Sequence, residues 1–76
     1  MFTVLFTAIG RRVELVQAFR RSFETHNIKG RILGIDVNPS FAPASYFVER
    51  CFKAPRVNDV GYINYLLNIC QSENVD

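Results

Sequence analysis

Histidine occurs once in this chain, cysteine twice and glycine four times, and the net charge is only +2. Each scarcity excludes something. The lone histidine, His26, has no cysteine pair or second histidine at ligand spacing, so no metal cluster is expected. Cys51 and Cys70 sit in apolar contexts without a CxxC partner and read as reduced core thiols, which suits a cytoplasmic protein. A charge of +2 is too small to imply nucleic acid or membrane surfaces as partners. No apolar run approaches the ~20 residues a membrane span needs. The amino terminus has no basic leader, and its apolar run reads as a strand rather than a signal peptide. Internal repeats, low-complexity segments, a phosphate-clamping lysine loop, a nucleophile elbow and paired carboxylates are all missing.

What is present is a compact α/β pattern. Apolar residues make up 49% of 76 residues, enough for one small, marginally stable domain. Phe2–Phe6 is apolar or β-branched throughout and predicts a buried strand. A helix is predicted from Arg11 or Arg12 to about Thr25, with a stripe of Leu15, Val16, Phe19 and Phe23 and Val13 alongside. Asn27 or Gly30 suits the positive φ that closes it. Arg31–Asp36 predicts a second strand, which Pro39 prevents from continuing. Phe41–Phe47 reads as loop with a helical turn, and Phe52–Ala54 as a short third strand, open to extension from Cys51 or Val48 and ended by Pro55. Asn58 or Asp59 is placed to cap a second helix running to about Ser72, with a stripe of Val60, Ile63, Leu66, Leu67 and Cys70 and Ile69 beside it. Gly61 should weaken that helix slightly.

The alternation predicts a Rossmann-like α/β unit of three layers, with a short parallel sheet in the order β-α-β-β-α. A helix after a third strand normally delivers the chain to a fourth, and Glu73–Asp76 reads as that step. Residues 1–76 are therefore expected to be one domain, the amino-terminal piece of a longer chain, cut before a further strand. The uncovered sheet edge and the apolar side of the second helix are then expected to drive self-association.

In an open parallel sheet, ligands bind outside the carboxyl ends of the strands. Three segments should meet there: Thr7–Arg12, Asp36–Pro43 and Pro55–Asn58. Backbone N–H groups at the first helix's start suit an anion, and Arg11 or Arg12 can add a charged fork. Arginines near the positive end of a helix dipole are disfavoured by roughly 0.3–1 kcal/mol, a local rule broken at the mouth of a loop. Both side chains bending into solvent is the plainer reading. The expected anion or substrate site comprises Thr7, Ala8, Ile9, Gly10, Arg11, Arg12, Asp36 and Asn38, with no catalytic or metal-binding residue. Two roles stay open for Asp36: accepting from a ligand or an arginine, or satisfying backbone donors in the next turn.

Dinucleotide binding is the alternative. Its Gly-x-Gly-x-x-Gly fingerprint aligns with Ala8-Ile-Gly10-Arg-Arg-Val13, where only the middle glycine survives. Asp36 follows Gly10 by 26 residues, only loosely where a ribose-binding acid belongs.

The segments Val4–Val16, Ile35-Asp-Val-Asn-Pro39, Ala42-Pro-Ala44 and Ala54-Pro-Arg-Val57 together resemble the amino-terminal domain of ATP-grasp ligases. The carbamoyl-phosphate-synthase-large-subunit-like subgroup is the nearest likeness, and the resemblance spans nearly the whole chain. It implies a pre-ATP-grasp domain preceding two lobes that clamp ATP and magnesium, in an enzyme that activates a carboxylate as an acyl phosphate for attack by an amine. By that resemblance the Ala8–Arg12 loop, with Asp36 and Asn38 nearby, would line the substrate side of the cleft. The ATP-binding and metal-binding groups would lie in lobes of the same chain beyond these residues. No cofactor is expected on residues 1–76 themselves, and they are expected to be inactive alone. The expected partners are those lobes and a small anionic substrate.

Overall fold

The computed structural model describes all of residues 1–76. Three strands, β1 (Phe2–Phe6), β2 (Gly30–Asp36) and β3 (Arg50–Lys53), form one parallel sheet in the order β1-β2-β3. Phe6 pairs with Gly34, and Gly34 with Cys51; β2 and β3 run two residues further and end level with each other at Asp36 and Lys53. Helix α1 (Val13–Thr25) joins β1 to β2, and helix α2 (Tyr62–Ser72) follows β3. Two short 3-10 turns, Pro39–Phe41 and Pro43–Phe47, take the place of a crossover helix between β2 and β3. The α/β, Rossmann-like reading of the sequence is therefore correct.

Alternation along the strands divides the core between the two faces. Val4, Phe6, Ile32 and Cys51 pack with Ile9, Val16, Phe23, Ala42 and Ala44 under α1 and the second 3-10 turn. Leu5, Ile35 and Phe52 pack with Ala54, Tyr62, Tyr65 and Leu66 under α2.

Both helices end alike. Asn27 and Asn74 adopt positive φ, and the amide beyond each reaches back to the helix: Ile28 to Phe23 and Val75 to Cys70. This is the Schellman closure, with asparagine at the left-handed position. Of the two residues suited to closing α1, Asn27 takes the role and Gly30 opens β2.

The helix starts are corrected. Neither arginine lies in the first turn of α1: Arg12 is its N-cap and Arg11 precedes it, because the Arg12 N–H is held by the Ile9 carbonyl at 3.0 Å. Helix α2 begins at Tyr62, later than a cap at Asn58 or Asp59 implies. The Asp59 carboxylate bends back onto the Gly61 N–H at 2.8 Å, the competing local turn aspartate favours. Gly61 is consequently the N-cap and weakens no helical turn.

The apolar stripes are narrower than the sequence pattern implies. Val16 and Phe23 are buried, whereas Leu15 and Phe19 are partly exposed. On α2, Tyr62 is buried and Leu66, Ile69 and Cys70 are half-buried, while Ile63 and Leu67 face solvent. Three strands are too narrow a surface to cover either helix fully. Strand β3 starts at Arg50, and Ala54 continues its pairing through a bond from its N–H to the Asp36 carbonyl.

Candidate functional site

The loop after β1 owes its shape to two left-handed residues. Ala8 and Gly10 have φ of +48° and +45°, and the intervening Ile9 is driven inward. The Ile9 side chain is fully buried and lies over β2 at Gly34. A Cβ on Gly34 would come within 2.7 Å of Ile9 Cδ1, so the loop can sit this low only above a glycine. Among the expected site residues, Ile9 therefore acts as the peg holding the loop, and its side chain does not face a ligand.

Hydrogen bonds fix the remainder. The Ile9 N–H donates to the Ile35 carbonyl at 3.1 Å, and the Gly10 carbonyl accepts from the Ala44 N–H at 3.0 Å. Asp36, at the end of β2, binds both loops. One carboxylate oxygen accepts from the Gly10 N–H at 2.9 Å and the other from the Asn38 N–H at 3.0 Å. Asp36 thus satisfies backbone donors, as its plainer reading held, and it also joins the first loop to the second.

The amides left over are informative. Those of Ile9, Gly10 and Arg12 are engaged, whereas those of Arg11, Glu14 and Leu15 donate to nothing within the chain. They belong to the start of a 13-residue helix, where orphan N–H groups and the dipole favour an anion. The Arg11 and Arg12 side chains are exposed and in no ion pair; the chain's two salt bridges are Arg20–Glu49 and Arg31–Glu73. Thr7, Ala8 and Asn38 are exposed at the same end.

The three carboxyl-end segments do converge. Ala8, Ile35, Asp36, Val37, Ala54, Pro55, Val57 and Tyr62 line a cavity of about 250 Å³. A wider, shallower hollow of about 440 Å³ lies beside the end of α1, between Arg20 and Gly30. It is far from these loops and from the strand ends where α/β sheets bind ligands. No group of three or more His, Cys, Asp or Glu side chains gathers to hold a metal. Both cysteines are free; burial, and then the Asp36 carboxylate, push the Cys51 thiol upward, which favours the unreactive thiol form.

Two polar clusters escaped the sequence reading, and both tie elements together. Arg20 on α1 binds the Glu49 carboxylate at 2.6 Å and the Phe47 carbonyl. Glu49 in turn accepts from the Ile32 N–H at 3.0 Å. Arg31 on β2 binds Thr3 Oγ1 and the carboxylate and carbonyl of Glu73 at the end of α2. Neither has a signal in local spacing, since the partners lie 29 and 42 residues apart.

Residues 4–76 match the family model described as PylC-like, N-terminal domain. The chain belongs to this family, a domain of ATP-grasp-type ligases. Comparison with curated proteins returned no match. No helix is long and apolar enough to cross a membrane.

Proposed function

We propose that the chain is the substrate-side, amino-terminal domain of an ATP-dependent carboxylate–amine ligase, and that it positions an anionic substrate at the loop after β1. The observation that carries this is the helix start itself. Three free amides, of Arg11, Glu14 and Leu15, stand beside two unpaired arginines on a loop locked by Asp36, Gly34 and Ala44. A locked loop suits positioning, because a substrate held in one geometry reacts with less entropy to lose.

Residues 1–76 bring together no ligands for magnesium and no lysine loop for a triphosphate. The proposal accordingly assigns ATP and magnesium to lobes of a longer parent, and chemistry to those lobes. Kinship with the carbamoyl-phosphate-synthase large subunit, and a cytoplasmic location, are finer parts of the same reading.

Calorimetric titration with phosphate or sulfate tests the binding claim. Weak, salt-sensitive binding is expected, falling at least about tenfold in Arg11→Ala/Arg12→Ala, as loss of charge-assisted bonds predicts. Unchanged binding in that variant would place the site elsewhere. The same preparation should show no ATP turnover with magnesium.

A further inference from the structure

The second 3-10 turn, Pro43–Phe47, is held at both ends by the segment that carries α1. Near its amino end Ala44 is fully buried in the cluster of Ile9, Val16 and Ala42, and its N–H donates to the Gly10 carbonyl at 3.0 Å. Its carboxyl end has little packing, since Tyr46 and Phe47 are exposed. Hydrogen bonds hold that end instead. Arg20 donates to the Phe47 carbonyl through Nε at 3.2 Å and Nη2 at 2.9 Å. The same guanidinium meets both carboxylate oxygens of Glu49, at 2.6 and 3.2 Å, and Glu49 accepts from the Ile32 N–H. The turn lies as a splint along α1, fixed to the loop before the helix and to the helix itself.

The consequence falls on the Arg11 amide. A peptide unit is planar, and in the trans form its C=O and N–H point in opposite directions. No peptide bond of the chain is cis. The Gly10 carbonyl and the Arg11 N–H belong to one such unit, so holding the carbonyl against Ala44 aims the Arg11 N–H away from the turn. The bonds on either side, from the Gly10 N–H to Asp36 and from the Arg12 N–H to Ile9, hold the neighbouring units and not this one. Gly10 has φ of +45°, and the freedom of glycine lets this unit turn once its carbonyl is released.

We infer that Arg20 is a positioning residue for the loop after β1: with Glu49 it holds the turn, the turn holds the Gly10 carbonyl, and that carbonyl aims the Arg11 amide. Arg20 lies about two helical turns beyond Arg12, so it acts through the splint and not on the anion itself. The inference rests on the proposed anion site and names two side chains outside it on which its geometry depends.

Amide NMR spectra and phosphate titration of the chain test it. In Arg20→Ala the Gly10, Arg11 and Ala44 signals should move, and the Ala44 amide should exchange faster with solvent. Phosphate affinity of the folded chain should fall at least about threefold, the scale of coupling carried through a hydrogen-bond network. Arg21→Ala controls for the lost charge, since Arg21 is exposed and in neither salt bridge; it should leave those signals in place and weaken binding less. Glu49→Ala separates charge from position by sign. It makes the chain more positive, which alone would tighten phosphate binding, whereas a loosened turn weakens it. Arg20→Lys keeps the charge without the planar fork and should fall between the parent and Arg20→Ala. Should Arg20→Ala not fold, Arg20→Lys and Glu49→Ala carry the same readouts. Unmoved Gly10 and Arg11 signals, unchanged phosphate affinity in Arg20→Ala, or tighter binding in Glu49→Ala would overturn the inference. A parent chain that binds no phosphate would instead overturn the anion-site reading beneath it, and the three amide signals would still decide whether Arg20 holds the loop.

Discussion

At the scale of single residues, the loop after β1 carries stored strain and a tight fit. Ala8 occupies the left-handed region, which costs an alanine roughly 1–2 kcal/mol relative to ordinary backbone. Glycine removes that cost but has more freedom to lose on folding. Ala8→Gly should therefore stabilise the domain by about 0.5–1 kcal/mol in urea unfolding, and a loss of stability would mean that the alanine methyl has packing of its own. Gly34→Ala should do the opposite. The added methyl must displace Ile9, and overpacking of this kind costs about 1–3 kcal/mol. The amide signals of Ile9 and Gly10 should move with it; unmoved signals would show that the peg yields without shifting the loop. The loop itself was legible, because a strand followed by one glycine and two arginines marks a strand–loop–helix entry locally. That Ile9 faces inward was not legible, since it depends on Gly34 lying beneath it.

At the scale of elements, α1 is tied to the segment before β3 by Arg20 and Glu49. The hydrogen bond with Arg20 lowers the Glu49 carboxyl below its ordinary value, burial opposes this, and the Ile32 amide adds to the lowering. A carboxyl lowered by folding contributes stability above its unfolded pKa, near 4.3, and that contribution is lost as pH falls through the folded value. Both side chains are more than a third exposed, so solvent screening holds the effect below about 1 kcal/mol. Glu49→Gln should thus flatten the acid limb of the stability curve below about pH 4.3. An unchanged limb would assign acid sensitivity to other carboxylates. The first two strands and the Asn27 closure of α1 were legible, because β-branched runs and an asparagine closure are local; the closure at Asn74 was not, its segment having read as the step to a further strand, and β3 begins two residues before Phe52. The start of α2 was not legible either, because the Asp59 side chain competes for the amide that a helix cap would use.

At the scale of the whole molecule, two surfaces lack cover. Thr3 spends its edge-facing amide and carbonyl on Asp76, at 2.8 and 2.9 Å, so a strand-like pairing already begins along β1. Alternation leaves the Leu5 amide and carbonyl pointing the same way without a partner strand. On α2, Ile63 and Leu67 are exposed, with Val60 almost fully so before the helix begins. We predict that the chain as it stands self-associates through these surfaces. Sedimentation equilibrium should give a mass rising with concentration, and Ile63→Lys/Leu67→Lys should restore the monomer. A strictly monomeric mass well above micromolar would mean that the edge is already protected.

The central claim is that the start of α1 is an anion site, and the most direct measurement is a crystal structure determined in phosphate or sulfate. The account predicts an ion within hydrogen-bonding distance of the Arg11, Glu14 and Leu15 amides, with a guanidinium from Arg11 or Arg12 turned onto it. Ions found only at other arginines, such as Arg50 or Arg56, with those three amides left to water, would contradict it.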